Sequence, residues 1–137
     1  RFEANGKVYI DDYAHHPTEL NAAIRSVREL YPGKKVLGVF QPHLFTRTRD
    51  FADEFGESLS QLDSLILLDI YPARELPIEG ITSNWLLEKV DLKEKIVSSL
   101  GESLANIKEQ DFDVLLTVGA GNIDTIVKPI KEWLSEA

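Results

Sequence analysis

The chain contains no cysteine and no methionine among its 137 residues. Without cysteine there is no disulfide framework and no thiolate metal site, a composition that suits a reducing cytoplasm. Positive charge is scarce as well: 15 Lys and Arg stand against 23 Asp and Glu, giving a formal charge of -8. Such an acidic surface repels a phosphate backbone, so generic nucleic-acid binding is disfavoured. Any anionic ligand must then be gripped by a few locally placed cations. No apolar run approaches the roughly 18–20 residues that span a bilayer, and no signal-peptide pattern opens the chain. Two glycine fingerprints are also missing. Neither a G-x-x-x-x-G-K-[ST] phosphate loop nor a complete G-x-G-x-x-G occurs, which argues against a self-contained phosphate-loop enzyme and a stand-alone nicotinamide-binding domain.

What is present is an ordinary globular composition, 43% apolar and 28% charged, at a length that suits one domain spanning residues 1–137. No repeat or linker divides it. Arg1-Phe2-Glu3 reads as a strand already under way, so the expectation is a domain cut from a longer chain.

Residues 1–5 and 7–11 flank Gly6 as a hairpin with Asn5-Gly6 at its turn. Leu20, Ala23, Ile24, Val27 and Leu30 share one face of a helix over residues 17–31, which Pro32-Gly33 stops. Residues 36–40, 65–70 and 114–118 are short apolar runs suited to buried strands, and residues 96–99 make a weaker one. Phe51, Phe55, Leu59 and Leu62 form a helical stripe. Further helices are expected near residues 83–88, 103–109 and 123–134. Strands alternating with helices imply right-handed crossovers and a mostly parallel sheet. The expected fold is therefore α/β: a three-layer, Rossmann-like domain with an N-terminal β-hairpin.

In open parallel sheets ligands bind beyond the carboxyl ends of the strands, and the unusual residues of this chain gather there. Asp11-Asp12-Tyr13-Ala14-His15-His16-Pro17 follows the first strand of the parallel set. Gln41-Pro42-His43-Leu44-Phe45-Thr46-Arg47-Thr48-Arg49 follows the second, Asp69-Ile70-Tyr71-Pro72-Ala73-Arg74-Glu75 the third, and Gly119-Ala120-Gly121-Asn122 the last. The first loop fits a helix start, with Pro17 at the first helical position and Glu19 complementing the dipole. It also fits a ribose site, since a carboxylate at a strand end can accept both ribose hydroxyls. In the second loop, Thr46 as cap would put Arg47 and Arg49 in the first helical turn, where cations oppose the dipole. Two guanidiniums beside free amides make an anion site; pairing with Asp50 and Asp53 on a solvated face is the alternative. The two glycines of the last loop suit a tight turn and a ligand cradle equally.

Two other classes compete. His15, His16, His43 and Asp12 could serve a metal-dependent hydrolase, although adjacent histidines rarely aim at one ion. Asp11, Asp12, Asp69 and Thr117 are similar to the acidic pocket of a receiver-type signalling module, but the lysine expected after the last strand is replaced by Gly119-Ala120-Gly121.

At these four loops the sequence resembles the C-terminal domain of the Mur ligase family, over residues 1–130. The most specific segments are Asp11-Asp12-Tyr13-Ala14-His15-His16-Pro17-Thr18-Glu19 and Gln41-Pro42-His43-Leu44-Phe45-Thr46-Arg47-Thr48-Arg49-Asp50. The first is shared with the murein-peptide ligase; the second is closer to the branch that adds L-alanine to UDP-N-acetylmuramate. The resemblance implies a cytoplasmic three-domain enzyme of peptidoglycan synthesis that uses ATP and Mg²⁺. A substrate carboxylate becomes an acyl phosphate, and the amine of L-alanine attacks it. The phosphate loop and metal would lie in the missing central domain, leaving this chain inactive alone. Arg1 matches a residue lying against adenine, and Asp12 one that binds the ribose. His15 and His16 match substrate-contacting positions. His43, Arg47 and Arg49 match groups holding the L-alanine carboxylate and acyl phosphate, and Glu75 could orient an arginine or the incoming ammonium.

Overall fold

The structure is a computed structural model that describes residues 1–136. It opens with the expected hairpin, β1 (Phe2–Ala4) and β2 (Lys7–Asp12), paired antiparallel. Asn5 and Gly6 take φ of 53° and 79°, the doubly positive turn whose twist matches that of the flanking strands. Helix α1 (Pro17–Leu30) leads to β3 (Val36–Phe40), then α2 (Phe45–Asp50), α3 (Ala52–Leu59) and β4 (Ser64–Leu68). After α4 (Ser83–Leu87), β5 (Glu94–Ser98), α5 (Leu100–Lys108) and β6 (Val114–Val118), a 3₁₀ turn (Asn122–Ile126) enters α6 (Val127–Glu136).

The strands form one sheet in the order β1-β2-β6-β3-β4-β5, parallel throughout except for β1. Every residue of β3, β4 and β6 is buried, as expected where helices cover both faces of a parallel sheet. Val36, Phe40, Leu65, Leu67, Val114 and Leu116 meet Leu20, Ile24 and Val27 of α1, Phe55 and Leu59 of α3, and Leu86 of α4. The alternate strand residues, Leu37, Val39, Ile66, Leu68 and Leu115, meet Ile107 of α5 and Ile130 and Leu134 of α6. The result is three layers around two cores.

Several expected elements shift, among them the strand expected at 65–70, which is β4, Ser64–Leu68. The strand expected at 96–99 is β5, Glu94–Ser98; it lies at the sheet edge with alternate residues exposed, so its charged first half hides it from an apolar scan. Helix α5 starts at Leu100 rather than 103, because the Ser99 side chain accepts from the Glu102 amide and caps it there. The closing helix is split into the 3₁₀ turn and α6. Pro129 lies in the first turn of α6, where its missing N–H leaves no bond unmade. Leu62 is buried but sits beyond the end of α3.

Phe55 is wholly buried and its ring lies 5.5 Å from that of Phe40. Phe55→Ala should therefore lower the unfolding free energy by about 3–5 kcal/mol. Urea denaturation followed by circular dichroism measures this; a loss below about 1 kcal/mol would mean that α3 does not seal the core.

Candidate anion site at the strand ends

The chain reverses direction across the sheet where β6 lies between β2 and β3, and the loops after these strands meet at their carboxyl ends. The second loop is stitched to the third by backbone bonds. Tyr71 N donates to Pro42 O and Leu44 N donates to Tyr71 O, each at 2.8 Å, while His43 and Tyr71 form an isolated parallel bridge. These bonds hold Leu44 at φ 72° and ψ 138°, a conformation that costs a non-glycine residue about 1–3 kcal/mol. The turn at Leu44 starts α2 at Phe45, two residues earlier than a Thr46 cap would.

This start corrects the expected anion site. The first amides of α2 are not free. Glu75 accepts from Phe45 N at 2.6 Å, from Thr46 N at 3.2 Å and from the Thr46 hydroxyl. The Thr46 hydroxyl and these two amides, with Arg47 nearby, hold the Glu75 carboxyl below its ordinary range. Glu75 is thus the helix cap, supplied from a distant loop. Nor do the two arginines act alike. Arg49 is exposed, and its Nε donates to Asp50 at 2.8 Å, which is the solvated pairing weighed above. Asp53 pairs instead with Lys89 at 3.1 Å.

Arg47 turns inward. Its Nη1 is buried with no hydrogen-bond partner among the described residues, and so is Nδ1 of His43. Burial, then the Arg47 charge and His15, push the His43 imidazole below its ordinary range, against an opposing pull from Glu75. His43 is therefore neutral at neutral pH. Its ring lies 5.4 Å from that of Tyr71 and 5.8 Å from that of His15. A half-buried cation close to an imidazole, with Arg47 Nη1 and His43 Nδ1 both unsatisfied among the described residues, suits an anion or an acceptor oxygen.

The remaining expected residues are divided. His16 packs its ring 5.0 Å from that of Phe51. Glu19 accepts from the amides of His15 and His16, fixing the start of α1. Asp12 accepts from Ala14 N at 2.9 Å and lines a groove of about 420 Å³ with Ile10, Glu19, Ala22, Ala23, Val27 and Leu30. Arg1 pairs with Glu3 and lies 5.5 Å over the ring of Tyr31, beside Leu30.

Both rival sites lose their geometry. Among the described residues no group of three or more His, Cys, Asp or Glu side chains is gathered for a metal. Asp11 and Asp12 alternate on β2 and so face opposite sides of the sheet. Asp11 accepts from Thr117 Oγ1 at 2.7 Å, and Thr117 in turn bonds the buried Tyr9 hydroxyl at 2.7 Å; the receiver-type pocket does not form.

The glycine loop resolves as a close-packed turn. A Cβ at Gly121 would lie 2.6 Å from both Gln41 Oε1 and Tyr71 Cγ. Gln41, almost wholly buried, donates to Asn122 Oδ1 at 2.6 Å and accepts from Ile123 N at 3.1 Å. Gly121 therefore backs Tyr71, and Tyr71 backs His43. In sequence, the one signal for Tyr71 is an aromatic shortly after a strand end. The positive φ of Leu44 leaves no trace in sequence.

Fold and cluster together define an α/β domain that offers one inward cation and neutral imidazole at its sheet's carboxyl edge. Residues 1–121 match the family described as Mur ligase, glutamate ligase domain, and the chain belongs to that family. It is 61% identical over 129 residues to a UDP-N-acetylmuramate–L-alanine ligase of Flavobacterium johnsoniae, covering 94% of this chain and 29% of that protein. A ligase of the same name from Cytophaga hutchinsonii is 57% identical over 124 residues, covering 90% and 27%. The chain thus spans under a third of these relatives. Among solved structures, a murein peptide ligase of Psychrobacter arcticus superposes with a TM-score of 0.75 at 15% identity, over 100% of this chain and 29% of that one. A UDP-N-acetylmuramate–alanine ligase of Thermotoga maritima gives 0.68 at 21% identity, over 94% and 27%. These two likenesses establish the fold.

Two outcomes follow from the geometry. Gly121→Ala must displace Tyr71 or Gln41, so it should cost about 1–3 kcal/mol of stability and move the His43 ring resonances. Unchanged urea midpoint and imidazole shifts would remove Gly121 from the brace. A histidine with a lowered folded pKa binds fewer protons folded than unfolded, so its stabilisation is complete above the ordinary value of 6.5 and declines as pH falls below it. Between about pH 7.5 and about pH 5.5 the urea midpoint should fall further for the natural chain than for His43→Asn; equal falls would mean that His43 is not held neutral.

Proposed function

We propose that this chain is the C-terminal domain of an ATP-dependent ligase that joins L-alanine to UDP-N-acetylmuramate in the cytoplasmic stage of peptidoglycan synthesis. The reading is supported by the names of relatives that are about three-fifths identical to it, and it rests on one observation, the buried Nη1 of Arg47 and Nδ1 of His43, neither with a partner among the described residues.

In this reading Arg47 meets negative charge, either the L-alanine carboxylate or the acyl phosphate. Neutral His43 donates or accepts a hydrogen bond beside it without adding a second repelling cation. His15 closes the same recess, and His16 fixes the loop against Phe51. Arg49, outside the recess, contributes long-range potential, and Glu75 acts by holding the start of α2. The Asp12 groove fits an adenosine: aliphatic side chains offer a flat apolar wall and the carboxylate accepts ribose hydroxyls. Arg1, stacked on Tyr31 at the far end of α1, borders it. Mg²⁺ finds no gathered ligand set among the described residues, and the chain has no phosphate loop. Both belong to the part of the protein that the relatives carry beyond this domain.

The test is steady-state kinetics of the full-length enzyme. Arg47→Ala should lower kcat/KM by about two orders of magnitude or more, as losing a charge-stabilising donor does, whereas Arg49→Ala should stay within about threefold, because an exposed ion pair contributes little. Asp12→Asn should raise KM for ATP and leave KM for L-alanine unchanged. Wild-type kinetics in the Arg47 variant would end the anion-site assignment.

A further inference from the structure

His15 has a polarity that the rest of the cluster lacks. Its Nδ1 lies 3.1 Å from the carbonyl oxygen of Tyr13 and 3.7 Å from Oε1 of Glu19. Both neighbours are acceptors, so the single proton of the neutral ring sits on Nδ1. The opposite ring nitrogen, Nε2, then carries a bare lone pair, and it has no hydrogen bond among the described residues. The ring lies 5.8 Å from that of His43 and edge-on to Tyr13 at 6.4 Å.

Its electrostatic setting is equally directional. Glu19, from the first turn of α1, stands on the Nδ1 side and is already held as a carboxylate by the His15 and His16 amides. His43 lies on its other side at 5.8 Å between ring centroids, and Arg47 of α2 and Glu75 are close enough to act on the charge of His43. A proton arriving at Nε2 leaves an imidazolium whose Nδ1–H points at a carbonyl and a carboxylate. This is the arrangement by which a carboxylate orients a histidine base and stabilises its charged form. His43 lacks it: its Nδ1 has no partner, and the Arg47 charge opposes a second cation there.

We propose that His15 is the proton acceptor for the amine nucleophile, a role that rests on the ligase reading above. In the step, Nε2 of His15 takes a proton from the ammonium form of the amino acid, and the freed amine nitrogen attacks the carbonyl carbon of the carboxyl phosphate. The C–N bond forms, the C–O bond to phosphate breaks, and phosphate departs with that electron pair and with the second proton that nitrogen sheds. The imidazolium returns its proton to solvent after the amide leaves. Arg47 carries the negative charge of the reactants, so that the base and the anion clamp are separate residues.

The full-length enzyme tests the step with two nucleophiles. Hydroxylamine is already unprotonated at neutral pH and traps a carboxyl phosphate as a hydroxamate without needing a base. In His15→Ala and His15→Gln, L-alanine ligation should fall by about 10²–10⁴-fold, the usual worth of a general base, while ATP-dependent hydroxamate formation persists. Free imidazole should restore ligation to the alanine variant. Equal loss of both activities, or no rescue, would overturn the role and make His15 a binding or structural residue. Absence of hydroxamate from the natural enzyme would sink the ligase reading, and this step with it. An independent readout uses the 137-residue chain alone: ¹H–¹⁵N correlations of the imidazoles should show His15 as the Nδ1–H tautomer, and finding Nε2–H would overturn the proposal.

Discussion

The amides that open α2 are held by Glu75, a carboxylate thirty residues further along the chain, and that capping decides what Arg47 can do. An uncapped helix start would draw any nearby anion to its backbone, and a cap from within the loop would have begun the helix later. With Glu75 in place the dipole is satisfied internally, α2 starts at Phe45, and Arg47 falls on the inward side, with Arg49 outside. Contrary to a first-turn placement, Arg47 and Arg49 fall in the last turn of this short helix, where a cation suits the dipole, and Glu75 lies close enough to feel Arg47 without pairing to it directly. The inward guanidinium keeps a buried edge free for a ligand.

An acidic chain needs such local arrangement. With eight net negative charges, the long-range field opposes anions, so binding depends on short-range, partly desolvated contacts that solvent and salt screen poorly. A second cation beside Arg47 would strengthen the attraction but would repel Arg47 before the ligand arrived. The recess uses neutral imidazole instead. Burial and Arg47 together keep His43 uncharged, and its ring is pressed into place by Tyr71, itself backed by the one residue type without a Cβ, Gly121. The strained turn at Leu44 is the cost of bringing these pieces together, and two backbone bonds to the Tyr71 loop sustain it.

Legibility in the sequence followed the range of the interactions. The strands with both faces covered, β3 and β6, and helix α1 with its apolar stripe and terminal Pro32-Gly33, were readable because their signals are local and repeated. β5 was blurred because an edge strand needs apolar residues only at alternate positions. The clustering of His15, His43 and Arg47 could be expected from strand ends in a parallel fold. What Glu75 does could not, since its partners are backbone groups in another loop, and every acidic residue in that loop has the same local credentials. The same limit applies to Gly119 and Gly121: two glycines allow close approach, but only the packed structure shows that the approaching group is Gln41 and Tyr71. Arg47 and Arg49 were indistinguishable in sequence because the two-residue earlier start of α2, which turns one inward and the other outward, depends on Leu44 holding a conformation that a branched side chain disfavours.

The two halves of the proposed site meet through α1. Its first turn, through Glu19, fixes the loop that carries His15 and backs the ring on its Nδ1 side; its next turns supply Ala22, Ala23, Ser26, Val27 and Leu30 to the wall of the groove that holds Asp12. A single helix, anchored by Leu20, Ile24 and Val27 in the core, therefore sets the spacing between a nucleoside and a reacting carbonyl. Relative displacement of two such ligands by even an ångström is costly to a reaction that depends on alignment. A rigid, centrally packed helix holds them better than two independent loops would. The alternation of β2 completes this division: Asp12 faces α1 and the groove, while Asp11 turns to the opposite face, where Thr117 and buried Tyr9 tie β2 to β6. Asp12 thereby holds the following loop through the Ala14 amide, with one oxygen turned to the groove, and its neighbour secures the strand that presents it.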